Sequence, residues 1–179
     1  MKYIALLRGI NVGGNNKVSM LELRHCFESL GFMNVVTYIN SGNVIFDASE
    51  TSKEKLVEQC EEIIEKSFGF RVVCSVILAT ELHEALDHMP DWWGEGPTAK
   101  HNAIFVIAPT TPHEIMKQVG EAKLEYEKVA AYGPLIFWSA PLKTFSRTRY
   151  SKIVGMPAYQ SITIRNANTT KKLVELSKI

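Results

Sequence analysis

The stretch that decides the fold is residues 3–46, YIALLRGINVGGNNKVSMLELRHCFESLGFMNVVTYINSGNVIF. It begins with a continuous apolar run at 3–7, which is typical of a buried strand. Ser19 and Glu22 have the spacing of a capping box, and the apolar residues that follow them recur at helical spacing. Two short apolar runs around Asn40-Ser41-Gly42-Asn43 then predict a β-hairpin. The stretch therefore predicts the order strand, helix, strand, strand.

The residues that follow complete a first subdomain. Thr51 and Glu54 predict a second capping box, and the strongest helical periodicity of the chain runs from there to Phe68. Residues 72–78 predict another strand. The resulting order, β-α-β-β-α-β, is that of a ferredoxin-like unit, in which two helices cover one face of a four-stranded antiparallel sheet.

The same order of elements recurs in the second half of the chain. A predicted strand at 103–107 precedes a capping box at Thr111 and Glu114, and a hairpin surrounds Tyr132-Gly133-Pro134. A helix at 143–154, a strand at 161–164 and a last helix that Asn168 caps complete the series. The sequence thus predicts an α+β fold, a tandem duplication of two ferredoxin-like (βαββαβ) subdomains with an extra C-terminal helix.

The predicted boundaries place the first subdomain at residues 1–79 and the second at 103–179. Between them, residues 80–102 form a linker helix and a loop that contains Trp92 and Trp93. We expect this tryptophan pair to pack as a lid over the core, with stacking on a nucleobase as the alternative.

Composition excludes several classes of protein. Of the 179 residues, 46% are hydrophobic and 22% are charged, which is ordinary for a globular chain and excludes a disordered one. No apolar run reaches the roughly 18 residues that a membrane helix requires. The three cysteines lie far apart without a CxxC pair, and the histidines lack the spacing of metal ligands. We predict a cytoplasmic protein with no metal, no cofactor and no membrane partner.

Charge is distributed unevenly along the chain. Residues 128–174 contain eight basic residues and no acidic ones, whereas residues 47–127 have a balance of −9. Such asymmetry favours an anion-binding surface in the C-terminal part. The alternative is a solvated basic face that the acidic middle of the chain balances.

Four polar segments along the whole chain are candidates for a ligand-binding site. The glycine-rich loop at 9–17 follows a strand and precedes a helix, where backbone N–H groups often bind anions, although it has neither the Walker lysine nor a G-x-G-x-x-G pattern. The hairpin at 40–43 is the second segment, 146–152 the third and 164–171 the fourth. Three of them have a structural alternative: a reversing turn for the first two and a solvated helix face for the third. The cations that we expect to contact an anion are Arg8, Lys17, Arg147, Arg149, Lys152 and Arg165.

The stretches ALLRGINVGGNNKVSMLELR, YINSGNVIF, PDWW and TIRNANT resemble the bacterial family named domain of unknown function 1697. The resemblance covers nearly the whole chain and implies a tandem pair of ferredoxin-like subdomains, but no activity, substrate or cofactor. The family's last motif usually reads R-N-W-N-T, and this chain has Ala167 at the tryptophan position. The matching polar residues are Arg8, Asn11, Lys17 and Arg24 in the first stretch, Asn40, Ser41 and Asn43 in the second, and Arg165, Asn166, Asn168 and Thr169 in the last.

Three functions remain open from the sequence. The first is binding of an anionic small molecule, such as a nucleotide or a sugar phosphate, between the two subdomains. The second is nucleic-acid binding, which the basic segment favours and the missing RNA-recognition signature disfavours. The third is a homo-oligomeric interaction module without catalysis, for which an apolar surface patch is expected. No carboxylate lies within the four polar segments to act as a general base, so the sequence leaves catalysis undecided.

Overall fold

Each half of the chain builds one four-stranded antiparallel sheet. The structure is a computed structural model and describes residues 1–50 and 52–178. The chain divides into two compact units, Met1–Thr80 together with the C-terminal end from Leu176, and Glu81–Glu175. Mixed helices and antiparallel sheets confirm the predicted α+β class.

Unit 1 contains four strands and two helices. In chain order they are β1 (Lys2–Arg8), α1 (Met20–Ser29), β2 (Met33–Tyr38), β3 (Asn43–Asp47), α2 (Lys53–Phe68) and β4 (Val73–Leu78). The strand order in the sheet is β2-β3-β1-β4. Alternate residues of β1 pack with the apolar stripes of both helices in one core, whose aromatic centre is Phe27, Phe32 and Phe46.

Side-chain caps fix where these helices begin. Ser19 accepts a hydrogen bond from the backbone N–H of Glu22 and caps α1, as predicted. The predicted cap of α2, Thr51, lies outside the described residues. Ser52 is the N-cap of that helix and accepts from the N–H of Lys55. Gly69 ends α2 in the left-handed conformation that glycine adopts without steric cost.

Unit 2 begins within a helix and ends within another. Its elements are α3 (Ala79–Asp87), β5 (Ala99–Val106), α4 (Pro112–Val119), β6 (Lys128–Tyr132), β7 (Leu135–Pro141), β8 (Ile162–Asn166) and α5 (Ala167–Leu176). The strand order is β6-β7-β5-β8. Thr111 and Glu114 form the predicted reciprocal capping box at the start of α4.

The helix predicted at 143–154 is wrong. Three short 3-10 helices, Leu142–Arg147, Tyr150–Gly155 and Pro157–Ser161, connect β7 to β8 instead. The physical reason is Glu127, whose buried carboxylate accepts hydrogen bonds from the backbone N–H groups of Arg149 and Tyr150. Those two N–H groups therefore bond to a side chain distant in sequence rather than to the carbonyls one turn earlier, as an α-helix requires.

The last helix also differs from its prediction. It begins at Ala167, and the residue that caps it is Asn166 rather than Asn168. The side-chain oxygen of Asn166 accepts from the N–H of Thr169 at 2.8 Å. Strand β8 ends at Asn166 itself, so no connecting residue lies between the strand and the helix.

Of the tryptophan pair expected to pack over the core, Trp93 is buried and Trp92 is only half-buried. The indole N–H of Trp93 donates to the carbonyl of Asn102, and its ring meets Phe137 edge to face at 5.0 Å. Within residues 1–50 and 52–178, no helix combines the length and the apolar character that crossing a membrane requires.

Candidate functional site

In unit 1, the polar loop and the polar hairpin are joined through Asn11. Its amide nitrogen donates to the carbonyl of Val18 at 2.9 Å and to the carbonyl of Asn40 at 2.8 Å, and its oxygen accepts from the N–H of Val18. Asn11 itself has a φ of 54°. All three of these hydrogen bonds join the Asn11 side chain to backbone groups. The role of Asn11 in the structure is therefore to hold the loop against the hairpin.

The other predicted residues of unit 1 are dispersed. Asn43 is buried, and its amide donates to the carbonyl of Tyr38 and to the hydroxyl of Ser41 within the hairpin. Arg24 is paired with Glu28 one helical turn away on the exposed face of α1. Lys17 is exposed in the loop, and Arg8 is half-buried at the end of β1.

The predicted helix at 143–154 would place Thr148 and Lys152 on one face, but the structure does not bring Thr148 together with the cations at 147–152. Arg147 lies over the ring of Tyr126 at 5.8 Å, and the amino group of Lys152 donates to the carbonyl of Ser146. Thr148 is buried and bonds within its own turn. Because the segment folds into separate 3-10 turns, these side chains point to different neighbours.

Arg149 packs against the C-terminal end of α4. A Cβ placed on Gly120, the residue that ends this helix, would lie 3.3 Å from the guanidinium of Arg149. Its Nε is buried without a hydrogen-bond partner among residues 1–50 and 52–178. The C-terminal end of a helix carries partial negative charge, which stabilises a cation and disfavours an added anion.

Arg165 and Thr169 lie in the interior of unit 2. The guanidinium of Arg165 donates to the hydroxyl of Thr163 at 3.2 Å and to the carbonyl of Ile164 at 3.0 Å, and the residue is buried. Thr169 is buried in the first turn of α5. Asn166 and Asn168, by contrast, are exposed at the start of that helix.

Asn166 and Asn168 border a cleft of about 530 Å³ at one end of the sheet of unit 2. Strand β5 pairs with β7 as far as Ala99 and Pro141, but its pairing with β8 stops at Asn102 and Asn166. The chain turns into α5 at that point, which leaves one side of 99–101 open. The lining residues are Gly94, Gly96, Pro97, Ala99, Lys100, His101, Asn102, Phe145, Asn166, Ala167 and Asn168.

The lining of this cleft is polar and carries positive charge. The ammonium of Lys100 lies 4.5 Å from the centre of the Phe145 ring, and none of the described lining residues is Asp or Glu. In the part of the chain that the structure describes, the side-chain amides of Asn102 and Asn168 make no hydrogen bond. The cleft therefore offers an unneutralised ammonium and two amides to a ligand.

A neighbouring lysine fixes the wall of the cleft. The amino group of Lys171 in α5 donates to the carbonyl of Gly94 and to the carboxylate of Glu95, both at 3.1 Å. Gly94 has a φ of 87°, which favours glycine, and a Cβ there would lie 2.9 Å from that amino group, so the lysine side chain would have to shift. The 94–96 loop is thus held to the helix that supplies Asn168.

Sequence analysis missed Lys100, His101, Asn102 and Phe145. They form no motif, and the predicted strand began only at 103. The register of β5 against β8, which places Asn102 opposite Asn166, is what brings them to the last polar segment. Register is a long-range property, so the local sequence carried no signal for this contact.

Two other pairs of reactive groups in the described residues are enclosed. His101 Nδ1 lies 2.6 Å from the hydroxyl of Ser139, but both Ser139 and the second ring nitrogen of His101 are buried. Two causes raise the pKa of the Cys60 thiol well above its ordinary value: mainly a hydrogen bond with the Cys74 thiol, and secondly burial. No group of three or more potential metal ligands occurs within the described ranges.

Comparison with known proteins agrees with the fold. A conserved bacterial protein from Streptococcus pneumoniae is 34% identical, with a TM-score of 0.86 over 99% of this chain and 98% of that one. Among curated proteins, none matches. The family described as protein of unknown function (DUF1697) matches residues 1–137. On that match, and on a relative alike in sequence and structure over its whole length, the chain belongs to the DUF1697 family.

Proposed function

We propose that the protein binds a small anionic ligand that carries a phosphate group, in the cleft bordered by residues 94–102 and 166–168. The observation that carries the proposal is the ammonium of Lys100, which faces an aromatic ring and no carboxylate among the described lining residues. A cation without a counter-charge in a concave site favours an anion, and lysine is a common ligand of phosphate.

The start of α5 adds to this preference. Asn166, Ala167 and Asn168 are the cap and the first two residues of a ten-residue helix, and all three line the cleft. Backbone N–H groups in the first helical turn point out of the helix, and the partial positive charge there stabilises an anion.

The size of the cleft suits a nucleotide or a sugar phosphate. Sites for small molecules usually enclose about 300–1,000 Å³, and this cleft measures about 530 Å³. The proposal retains Asn166 and Asn168 from the residues selected in the sequence. It assigns structural roles to Asn11, Asn43, Arg165 and Thr169, whose contacts are internal.

The first test is a thermal-shift and calorimetric titration of the whole protein with inorganic phosphate, a nucleoside monophosphate and a hexose phosphate. We expect Lys100→Met to weaken binding roughly tenfold or more, since a hydrogen bond to a charged group contributes about 1.5–3 kcal/mol. Lys117→Met, in an exposed position of α4, is the matched control. Equal affinities of the two variants, or no binding by the wild-type protein, would contradict the proposal.

Two asparagines separate binding from folding. The amide of Asn168 makes no hydrogen bond with other described residues, so Asn168→Ala should weaken ligand binding and leave the unfolding free energy nearly unchanged. Asn166→Ala removes the cap of α5 and should also lower stability by about 1 kcal/mol. A large loss of stability in Asn168→Ala would show that the residue has a folding role instead.

A second candidate function is binding of nucleic acid. The observation that favours it is the basic composition of residues 128–174, all of which lie in unit 2. Nucleic-acid binding weakens steeply with salt because each neutralised phosphate releases counterions, whereas a single small ligand shows a shallow dependence. Titration of a short single-stranded RNA at low and high salt distinguishes the two functions.

We also infer that both units are ferredoxin-like and arose by duplication. In each sheet the first strand of the unit lies between the third and the fourth, with the second strand at an edge. This is the strand order of the split βαβ arrangement. Unit 1 has both of the helices that this arrangement needs, while 3-10 helices replace the second one in unit 2.

A further inference from the structure

The ring of Phe145 joins the cleft of unit 2 to the hydrophobic core of that unit. Phe145 is half-buried and lines the cleft, and it packs against the core through Trp138, with 5.1 Å between the ring centres. Trp138 is itself buried, and its indole N–H donates to the carboxylate of Glu127. The core therefore holds the ring of Phe145 in place at the wall of the cleft.

Strand register places a cation and an amide on the same face of the sheet as this ring. Lys100 and Asn102 are two residues apart on β5, so their side chains lie on one face. Asn102 lies opposite Trp138 of β7, and directly opposed residues of antiparallel strands share a face. Because Trp138 contacts Phe145, this is also the face that carries the ring.

The side chain of Lys100 covers the ring of Phe145. Its ammonium lies 4.5 Å from the centre of the ring, and the residue is exposed on a flexible four-carbon stem. A contact between a cation and an aromatic ring at an exposed site is weak, whereas a hydrogen bond from an ammonium to a phosphate is charge-assisted and stronger. A phosphate group therefore competes with the ring for the ammonium, and the movement of Lys100 to the phosphate uncovers the ring.

We propose that the ligand of this cleft is a nucleoside monophosphate, whose base stacks on Phe145 while Lys100 binds its phosphate. The inference rests on the proposed function and narrows it to one class of ligand. Every nucleobase has a π-face that stacks on aromatic side chains, and a sugar phosphate has none. Base edges also present hydrogen-bond donors and acceptors, and the amides of Asn102 and Asn168 in the cleft offer both.

Isothermal titration calorimetry of the whole protein with adenosine monophosphate, ribose 5-phosphate and inorganic phosphate tests the inference. Ribose 5-phosphate has the sugar and the phosphate of the nucleotide without its base, so the comparison isolates the contribution of the base. The wild-type protein should bind adenosine monophosphate at least about fivefold more tightly, which is the lower end of what base stacking on an aromatic side chain contributes. Lys100→Met should weaken the binding of both ligands.

Variants of the ring identify the stacking partner. Phe145→Leu should abolish the preference for adenosine monophosphate and leave the affinity for ribose 5-phosphate unchanged, and that retained affinity shows that the variant is folded. Phe145→Tyr keeps an aromatic ring and should keep the preference. Phe70→Leu is the matched control, because it makes the same change at a half-buried residue of unit 1 that does not line the cleft.

A measurement on the wild-type protein makes the test independent of the variants. In the complex with adenosine monophosphate, nuclear Overhauser effects should connect the adenine protons to the ring protons of Phe145. The absence of these effects in a saturated complex would contradict base stacking on this ring.

The possible failures of this inference and of the proposed function are distinct. Equal wild-type affinities for the two ligands, or a preference that survives Phe145→Leu, would overturn the nucleotide inference and leave a phosphate site. Equal weakening of both ligands by Phe145→Leu would assign the ring a structural role and overturn the inference as well. If none of the three ligands binds, the proposed function fails and the inference fails with it. A protein that binds single-stranded RNA but not adenosine monophosphate would favour the second candidate function instead.

Discussion

Glu127 organises much of unit 2 although it is a single side chain. It is 2% exposed, and its carboxylate accepts from the N–H groups of Lys123, Arg149 and Tyr150 and from the indole of Trp138. A buried carboxylate is stable only when such donors replace its lost hydration. These bonds join the loop before β6, strand β7 and the 3-10 segment.

Replacing Glu127 should destabilise unit 2 strongly. Glu127→Ala leaves several buried N–H donors without an acceptor, and we expect a loss of roughly 3–5 kcal/mol. Urea unfolding followed by tryptophan fluorescence measures it, since Trp138 is one of the donors. Glu125→Ala, an exposed neighbour, should change stability by less than about 0.5 kcal/mol. Equal stabilities of the two variants would refute this role.

Tyr150, which packs in this cluster, makes the stability of unit 2 depend on pH in the alkaline range. Burial, and after it the negative charge of Glu127, raises the pKa of Tyr150 to about 12. The folded protein thus holds the phenolic proton more tightly than the unfolded chain, whose tyrosine pKa is about 10. The contribution of this group to stability is complete below pH 10 and is lost as pH rises through 12.

The difference in tyrosinate absorbance between the wild-type protein and Tyr150→Phe should therefore show one late-titrating phenol. The unfolding free energy of Tyr150→Phe should also fall less than that of the wild-type protein as the pH rises from 10 to 12. If the phenol that Tyr150→Phe removes from the titration curve titrates near pH 10 in the folded protein, the assignment is contradicted.

At the scale of elements, the loop between β1 and α1 depends on Asn11 in two ways. The residue supplies three hydrogen bonds to backbone groups, and it adopts a left-handed φ of 54°. Glycine readily adopts this backbone conformation but cannot make the side-chain hydrogen bonds. Alanine cannot make the bonds either, and its Cβ disfavours the conformation.

Two substitutions separate these contributions. We expect both Asn11→Gly and Asn11→Ala to destabilise unit 1, with alanine about 1 kcal/mol worse because its Cβ disfavours a positive φ. Chemical denaturation of the two variants measures the difference. Equal values would mean that the loop relaxes to a negative φ when the side-chain bonds are lost.

The elements that sequence predicted well are those with local determinants. Ser19 and Thr111 cap their helices through residues only three positions away, and at Thr111 the bond is reciprocal, as in a capping box. The helix at 143–154 failed because its competitor, Glu127, lies far from it in the chain. The cap of the last helix was misplaced by two residues, because β8 runs on to Asn166 and the helix begins immediately afterwards.

At the scale of the whole molecule, the order of strands and helices followed from periodicity, but the cleft did not. Asn166 and Asn168 were visible as a polar segment next to a helix start. Lys100 and Phe145 join them only through strand register and the path of the 3-10 segment. A site assembled from distant stretches leaves no short motif, so polar segments alone selected several residues whose roles are structural.

Ligand binding in that cleft should therefore slow hydrogen exchange in stretches that are distant in sequence but border the same site. With a nucleoside monophosphate present, hydrogen exchange should slow in the first turn of α5 and at the start of β5. The amides of α2, which line no part of the cleft, are the reference and should be unaffected. Protection confined to α2, or spread evenly over the chain, would contradict the assigned site.

The direct junction of β8 and α5 at Asn166 has a consequence for how this region tolerates changes of length. One inserted residue would rotate the helix by about 100° relative to the strand and move it by about 1.5 Å. Asn168 would then leave the cleft, Lys171 would lose Gly94, and the buried face of α5 would turn outward. Among homologues, insertions and deletions should therefore be rare at this junction and common in exposed loops such as the one before β6.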